Sequence, residues 1–589
     1  MAIDESEYLK PRDDSSSSSD DSPESIAIPV ETEIKISGQT ISQEMKNDVA
    51  GFELSQPIDG HHELRLNIYS HGEVARGQDF SGNATNYSKM LGESLSLSVK
   101  SADYGNLAFV GDIAELEIDN GVGGLEYVTI IAKSPTIKMD GAKCNVFFKD
   151  MKASDIISSI VRSTQITPGT VDATSSTMKF CVQYRETDYD FITRLATGAG
   201  MFAFYDGEKF HVTKKGGTSS VTAKFRESIG SFKFKWGTSP FGVQTGTSNY
   251  EDKKTLGSSK KTTSISMSNL TDFSKKASEK LYPKESFQEV TGTVKDAKSI
   301  DDTIAVTQGR VFGRMIVCTG TSIVPSLKVG HKLRIEAFGD FNGEYLILKI
   351  VHKQTNHGLY YNTFTCAPVE VAHSQLQAKR RSAAEIQSAI VVDNNDPDQL
   401  GRIKVKFPWL DSDDTVWLRI ANPYAGNERG WYSLPEIDDE VLVAYEHGSP
   451  DRPIIIGSLY NGKDKPSGDV VDQDNLIKGF ITKSGNKIIL NDKDGEEEIS
   501  ITAKDGTQVV LNSKDPSITV KTTGDITLDG NNITIKAQGK VAVEGNGIEL
   551  TSSGDFKAEG SMNMGIKGGI ETKVEGTMVT VKGNPIQLN

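Results

Sequence analysis

The spacing of apolar and polar residues changes character several times along the chain, and each change marks a boundary. From Ile26 to about Ala132 it alternates in short runs such as ETEIKI, HELRLNI and SLSLSV. A period of two puts apolar side chains on one face of a strand, so this stretch predicts an antiparallel β domain. Two segments then switch to helical spacing: Ile156, Ile157, Ile160 and Val161 form a stripe within 154–162, and Phe191, Ile192 and Leu195 form another within 188–196. Thr187 with Asp190 three residues later predicts a capped start for the second helix. MFAFYDGEKFHV predicts a hairpin with a type I′ turn at Asp206-Gly207, because glycine accepts positive φ. A further helix near 272–281 and a second β block over 289–371 complete the first two thirds.

Between Ala389 and Gly462, five short apolar runs (GRIKVKF, TVWLRIA, GWYSL, EVLVAYE and PIIIGSL) are separated by turn residues. That number suits a small barrel of the OB type. A polar linker, NGKDKPSGD, follows. From Ile481 to Asn589 there is one aromatic, Phe556, and no Cys, His, Trp or Tyr. Apolar pairs recur as Ile518/Val520, Ile526/Leu528, Ile533/Ile535, Val541/Val543 and Ile548/Leu550, with Gly524, Gly530, Gly539, Gly545 and Gly554 after them. Each pair reads as a short strand with two inward aliphatics and then a bend, which is one side of a β-prism with a narrow interior. At about 4.8 Å per rung and on the order of a dozen rungs, the prism is expected to be roughly 50 to 70 Å long. Periodicity leaves open whether three chains intertwine or one chain coils as a solenoid.

Composition narrows the chemistry. A length of 589 residues predicts several domains. The excess of 80 Asp and Glu over 65 Lys and Arg repels phosphate backbones, and Val391 to Gly462 carries six Lys and Arg against thirteen Asp and Glu, so nucleic acid is disfavoured even for the OB-like barrel. Cys144, Cys181, Cys318 and Cys366 form no C-x-x-C pair and read as buried thiols of a protein folded in a reducing cytoplasm. Charged residues interrupt every apolar run before the length needed to span a bilayer. Residues 1–25 are acidic and serine-rich, without the basic start or apolar stretch of a secretory signal. They read as a disordered leader, with docking onto a basic partner as the alternative.

The candidate catalytic motifs fail one by one. His61-His62-Glu63 lacks the second histidine of HExxH, since position 66 is Leu66. GVGG at Gly121–Gly124 lacks the Lys-Ser or Lys-Thr of a phosphate loop and reads as a turn. No G-x-S-x-G surrounds any serine. Asp438 and Asp439 fall in a predicted β-turn, where paired carboxylates are normally solvated. No catalytic residue, metal ligand or cofactor site is predicted, and the chain is expected not to be an enzyme.

Three longer stretches carry a specific resemblance. VQYRETDYDFITRLATGAGMFAFYDG (182–207) resembles the hub signature of the VgrG family of contractile injection spikes. LKVGHKLRIEAFGDFNGEYLILKIVHKQTNHGLYYNTF is similar to that family's second hub barrel. DPDQLGRIKVKFPW with LPEIDDEVLVAYEHGSPDRPIIIGSLYNG resembles its OB collar. The resemblance covers nearly the whole chain after the leader. It implies a mainly β protein: a hub of two β-barrels with short helices over 26–382, an OB-fold collar over 383–462, a linker over 463–480 and a trimeric triple-stranded β-helix needle over 481–589.

It further implies a homotrimeric spike that caps an Hcp-like inner tube, docks on baseplate proteins, carries effectors and punctures a target membrane that it meets only transiently. Such a spike is assembled in the bacterial cytoplasm without a signal peptide and expelled by the machine. A PAAR-type tip is expected on Asn584, Pro585, Ile586, Gln587, Leu588 and Asn589. Two departures matter: only a short linker stands where phage relatives carry a lysozyme, and the chain stops at GNPIQLN without a toxin extension. Rival readings are a trimeric surface- or carbohydrate-binding tail fibre, or the spike of an extracellular phage-tail-like device.

Overall fold

A computed structural model describes residues 26–69, 87–120, 126–249, 254–257, 268–289, 297–374, 383–410 and 415–587. The acidic leader, the Gly121–Gly124 turn, Leu588 and Asn589 lie outside the described residues. The chain divides into two compact units, Met1–Lys465 and Pro466–Asn589.

The alternating runs of the first unit do form strands, and most of them join one fourteen-stranded sheet. Its main path runs through Ile229–Trp236, Ile316–Ser322, Leu359–Pro368, Gly343–Gln354, Val49–Pro57, Glu63–Tyr69, Glu126–Lys133, Gly105–Asn120, Ser94–Ser101, Glu31–Ile36 and Gln39–Thr40. Two cores are strung along this sheet. Leu54, Leu64, Leu66, Phe109 and Ile130 fill the first, and Leu333, Ile347, Ile350, Phe364 and Cys366 the second. The sheet crosses between them where Gly343–Gln354 pairs antiparallel with Val49–Pro57, from Lys349 opposite Pro57 to Gln354 opposite Phe52.

A third core belongs to a helical insertion. Helices Ala153–Ser163 and Asp188–Gly198 pack Ile156, Ile157, Phe191 and Leu195 against Phe210 and Val212. The Thr187 side chain accepts the Asp190 N–H at 3.1 Å, the cap expected from the sequence. The hairpin after it is corrected: strands Phe202–Tyr205 and Phe210–Thr213 leave a four-residue loop, and the Asp206 carboxylate, not a type I′ turn, closes it by accepting the N–H groups of Glu208 and Lys209 at 2.9 and 2.8 Å.

Helix Ala297–Met315 lies inside what the pattern presents as a β block. Its inward stripe runs Ile300, Ile304, Gln308, Phe312, so a polar residue interrupts the periodic signal. Gln308 is nevertheless buried, donating to the Phe241 carbonyl at 3.2 Å. Gly309 also lowers helix propensity, yet it is needed: a Cβ there would stand 2.6 Å from the His373 ring.

The collar closes into a five-stranded barrel in the order Gln387–Asp393, Ile403–Lys406, Trp417–Ile420, Pro453–Leu459, Glu440–Tyr445. GWYSL is not one of its strands. Gly430 pairs only in a two-residue ribbon with Ala425, and Tyr432 is 77% exposed; the missing strand is QSAIVVD, at the start. Cys181, Cys318 and Cys366 are buried, whereas Cys144, at the first position of its strand, is only half-buried, and none of the four is in a disulfide. Among the described residues no helix is long and apolar enough to cross a membrane.

The second unit begins with a five-stranded antiparallel meander: Ile477–Ile481, Lys487–Asn491, Glu498–Thr502, Gln508–Asn512 and Ser517–Lys521. Gly485 and Gly506, at φ of +94° and +88°, make two of its turns. From 522 to 587 the described single chain forms no strand.

Candidate functional site

The register of the meander sorts its side chains onto two faces. One face carries two rows across the strands: Phe480, Ile488, Ile501, Val509 and Val520 in the first, and Lys478, Leu490, Ile499, Leu511 and Ile518 in the second. Nine of these ten positions are apolar. The other face is mostly polar, with Asn491, Glu498 and Asn512 in one row and Lys487, Thr502 and Gln508 in another. An amphipathic sheet normally covers its apolar face. Here the face is largely open: Val509 is half-buried, and the other apolar positions run from Phe480 at 38% exposure to Ile518 at 74%.

The two-residue strand motif inferred from Ile518/Val520 therefore starts earlier, at Ile488/Leu490, Ile499/Ile501 and Val509/Leu511. The sequence reading missed these because Asp, Lys and Glu crowd the intervening turns. The later candidates Ile526, Leu528, Ile533, Ile535, Val541, Val543, Ile548 and Leu550 all lie in chain that forms no strand, 53% exposed or more. A single chain thus brings together Ile518 and Val520 with the rows before them and leaves the other eight unassembled. Asn584, Pro585, Ile586 and Gln587 are likewise exposed.

The stretches that carry the hub and collar signatures meet at a joint. Phe180, Val182 and Tyr184, on strand Thr177–Glu186, pack with Phe147 against Ala384, Trp409 and Val416 of the collar. The Val182 N–H donates to the Asp451 carboxylate, in SPDRP, at 2.8 Å. Behind it, Arg194 donates twice to Glu186 at 2.8 Å and once to the Val182 carbonyl at 2.9 Å, so the strand is held from the helix side as well. Across the collar, the DPDQLGR motif is a structural staple. Asp396 accepts the N–H groups of Asp398, Leu400 and Arg402 together with the Arg402 guanidinium, and that guanidinium bond first of all lowers its carboxyl to about 2.

The histidines that tempt a catalytic reading have structural partners. His61 contacts Asp140 and Thr136, both at 2.8 Å. His62 accepts from Gln56 at 3.1 Å; Gln56 accepts from His352 at 3.1 Å; His352 accepts from the Tyr360 hydroxyl at 2.6 Å. Both His62 and His352 are fully buried between the two hub cores, and burial depresses each to about 3, so they are neutral imidazoles. Asp206 contacts His211 and His331 at 3.2 and 3.5 Å; burial opposes its charge, but these histidines and two backbone donors hold it well below the usual carboxylate range. Asp439 accepts the Glu436 N–H at 2.8 Å within a turn, as a solvated carboxylate at a bend does. Among the described residues no group of three or more His, Cys, Asp or Glu is placed to hold a metal ion.

Comparisons with known proteins agree with this geometry. A family model described as the phage tail baseplate hub (GPD) matches residues 79–358, and one described as the type VI secretion system/phage-baseplate injector OB domain matches residues 387–460. The type VI secretion system spike protein VgrG1a of Pseudomonas aeruginosa is 26% identical over 504 residues, covering 77% of this chain and 75% of that protein. The actin cross-linking toxin VgrG1 of Vibrio cholerae is 25% identical over 379 residues, covering 55% of this chain but only 32% of its own length. A solved Francisella PdpA-VgrG complex contains a chain with the same fold, at TM-score 0.53 and 12% identity, covering 84% of this chain and 80% of that one.

Proposed function

We infer that this chain, a homologue of the VgrG spike proteins of type VI secretion, is the structural spike of a contractile injection machine, and that it works as a homotrimer. The observation that carries the reading is the contrast within one chain: a fully packed hub and collar of the baseplate type, followed by an apolar meander face with no cover. Burying a Val, Leu, Ile or Phe side chain is worth about 1.5–3 kcal/mol. Nine such positions on one face, and the pairs after them, make a patch larger than a soluble monomer normally exposes. Two further copies of the same face supply the cover, with the rows Phe480 to Val520 and Leu490 to Ile518 turned toward the three-fold axis. The eight later candidates then extend that axis as a β-prism, each pair meeting its equivalents from two other chains. The lone described chain does not favour the single-chain solenoid, because the eight later candidates make no intrachain ladder and the earlier pairs form an antiparallel meander rather than a coil.

The Pseudomonas aeruginosa relative is named a spike protein and the Vibrio cholerae relative a toxin of which this chain matches only a third; the spike role is mechanical and asks for stiffness rather than chemistry. In this reading the hub caps an Hcp-like inner tube, baseplate proteins hold it, a PAAR-type tip sits on Asn584–Asn589, and effectors travel with the assembly to the extracellular space or the target cell. Electron microscopy of the purified protein is expected to show a three-fold hub with one axial spike. A stable monomer in solution would overturn the reading. Deleting 584–589 is expected to abolish association with a PAAR partner; unchanged association would remove the tip assignment alone.

A further inference from the structure

We propose that Cys318 and Cys366 form a latent disulfide site: a dithiol closed off inside the second hub core, converted to a disulfide by exchange with a small or protein disulfide once the sheet opens. The two cysteines are direct partners in the antiparallel pairing of Ile316–Ser322 with Leu359–Pro368. Opposed residues in such a ladder have Cα atoms about 4.5 Å apart in one type of pair and about 5.5 Å in the other. Both separations lie inside the range of about 4.4–6.8 Å that a disulfide spans. The backbone separation therefore permits the bond, whichever type this pair is.

Burial sets the condition for reaction. Both cysteines are 0% exposed, in the core that also holds Tyr345, Ile347 and Phe364. Burial, reinforced by the neighbouring thiol, pushes Cys366 well above an ordinary thiol, so the thiolate that would attack an oxidant is scarce while the sheet is closed. Only one strand, Ile229–Trp236, flanks Ile316–Ser322 on the side away from Cys366, with Phe234 opposite Cys318, and it ends the main path of the sheet. Peeling that edge strand is the smallest opening that reaches the pair. The other cysteines do not compete: Cys181 sits in the helical core and Cys144 is half-buried on a separate two-stranded sheet.

The exchange balances without any further reagent. One cysteine thiolate attacks a sulfur of the oxidant's disulfide and expels the first thiolate; the second cysteine, deprotonated, attacks the protein sulfur of that mixed disulfide and expels the second. The protein loses two electrons and two protons, and the oxidant is reduced to two thiols. The new bond closes the segment between positions 318 and 366. A crosslink over a loop of that length is expected to lower the unfolded population on the order of a thousandfold. In the spike reading, on which the biological part of this proposal rests, the pair stays reduced during cytoplasmic assembly and locks after expulsion into an oxidising compartment.

The test uses the full chain, purified reduced and incubated with oxidised glutathione in buffer and in sub-denaturing urea, then digested without reduction for mass spectrometry. The Cys318–Cys366 linkage is expected to form at least about a hundredfold faster in urea than in buffer, with no linkage to Cys181, and the oxidised hub should resist denaturant more strongly than the reduced hub. In Cys366→Ala the glutathione adduct should persist on Cys318 instead of resolving. Scrambled linkages, stable adducts on the wild-type pair, or an oxidised hub weaker than the reduced one would each refute the site. All readouts are on purified protein, so failure of the spike reading leaves this result standing, and the reverse also holds.

Discussion

The hub and collar, 26–465, and the C-terminal unit, 466–587, are both β structure, yet they treat apolar residues in opposite ways. In the first, Leu54, Leu64, Ile130, Ile347, Val405 and Val441 are wholly buried by their own chain. In the second, Ile518, Leu528, Ile535 and Leu550 stand open. The sequences differ accordingly: the first unit uses aromatics and long, varied strands that fill a closed volume, while the second uses short strands with paired aliphatics and turns. A wide core can be completed within one chain. One short strand of a narrow prism covers too little area to close an interior by itself. The first unit carries its fold in one copy, whereas the trimer proposed above would have the second complete its fold with its partners.

The strongest way to break this contrast is to charge the open rows. Ile533→Asp or Val541→Asp puts three carboxylates at one level of the proposed trimer axis. Each costs several kcal/mol unless protonated or hydrated. Trimer mass and protease resistance of the needle are expected to be lost while the hub keeps its core. Equal resistance of mutant and wild-type needles would mean that these residues face no dry interior.

Acid should separate the units next. His62 and His352 have folded values near 3 against an ordinary 6.5, and a depressed histidine stabilises the fold above the unfolded value. That stability is complete above pH 6.5 and is lost as pH falls from there toward about 3. At pH 5 the loss is about 2 kcal/mol for each histidine. The second unit contains no histidine, and all four tryptophans (Trp236, Trp409, Trp417 and Trp431) lie in the first. Tryptophan fluorescence melts are therefore expected to fall steeply between pH 6.5 and 4 while the trimer mass of an isolated needle holds. A flat hub profile would mean that the pair is not sealed from water.

A smaller effect tests whether hub and collar act as one body. Asp451→Ala removes the acceptor of the Val182 N–H, a charge-assisted bond whose loss costs about 1–3 kcal/mol. Calorimetry should split one hub-collar transition into two, with the collar melting first. Asp451→Asn, which keeps an acceptor, should restore most of the coupling. A single unchanged transition would leave the packing of Val182, Trp409 and Val416 as the whole joint.

Much of this was legible in the sequence wherever one residue type does one job. Alternation located the hub strands, Thr187 located a helix start, and turn residues bounded four of the five collar strands. Helix Ala297–Met315 was hidden because Gln308 and Gly309 break its stripe, although a buried carbonyl and a histidine ring require them. The strand Gln387–Asp393 is hidden behind GWYSL because aromatic density resembles a core, and the barrel's strand order and the exposure of Tyr432 show otherwise. The candidate needle residues were found by spacing, but spacing does not say how many chains share an interior. The cross-strand meeting of Cys318 and Cys366 was out of reach, since register across forty-eight residues leaves no local signal.

The smallest expected effect checks the parity of the needle rows. In extended chain, successive side chains alternate between faces, so Ile533 and Ile535 share the inward face and Lys536 points away from it. Lys536 is exposed in the single chain, and the proposed prism would leave it exposed in the trimer. Lys536→Asp then exchanges one solvated charge for another, three times per trimer, and surface changes of this kind stay within about 0.5 kcal/mol per site. Trimer mass, needle length in micrographs and protease resistance should match wild type. Comparable damage from Lys536→Asp and Ile533→Asp would show that the rows are not alternating strands, and the axis would then have to be built from a different set of side chains.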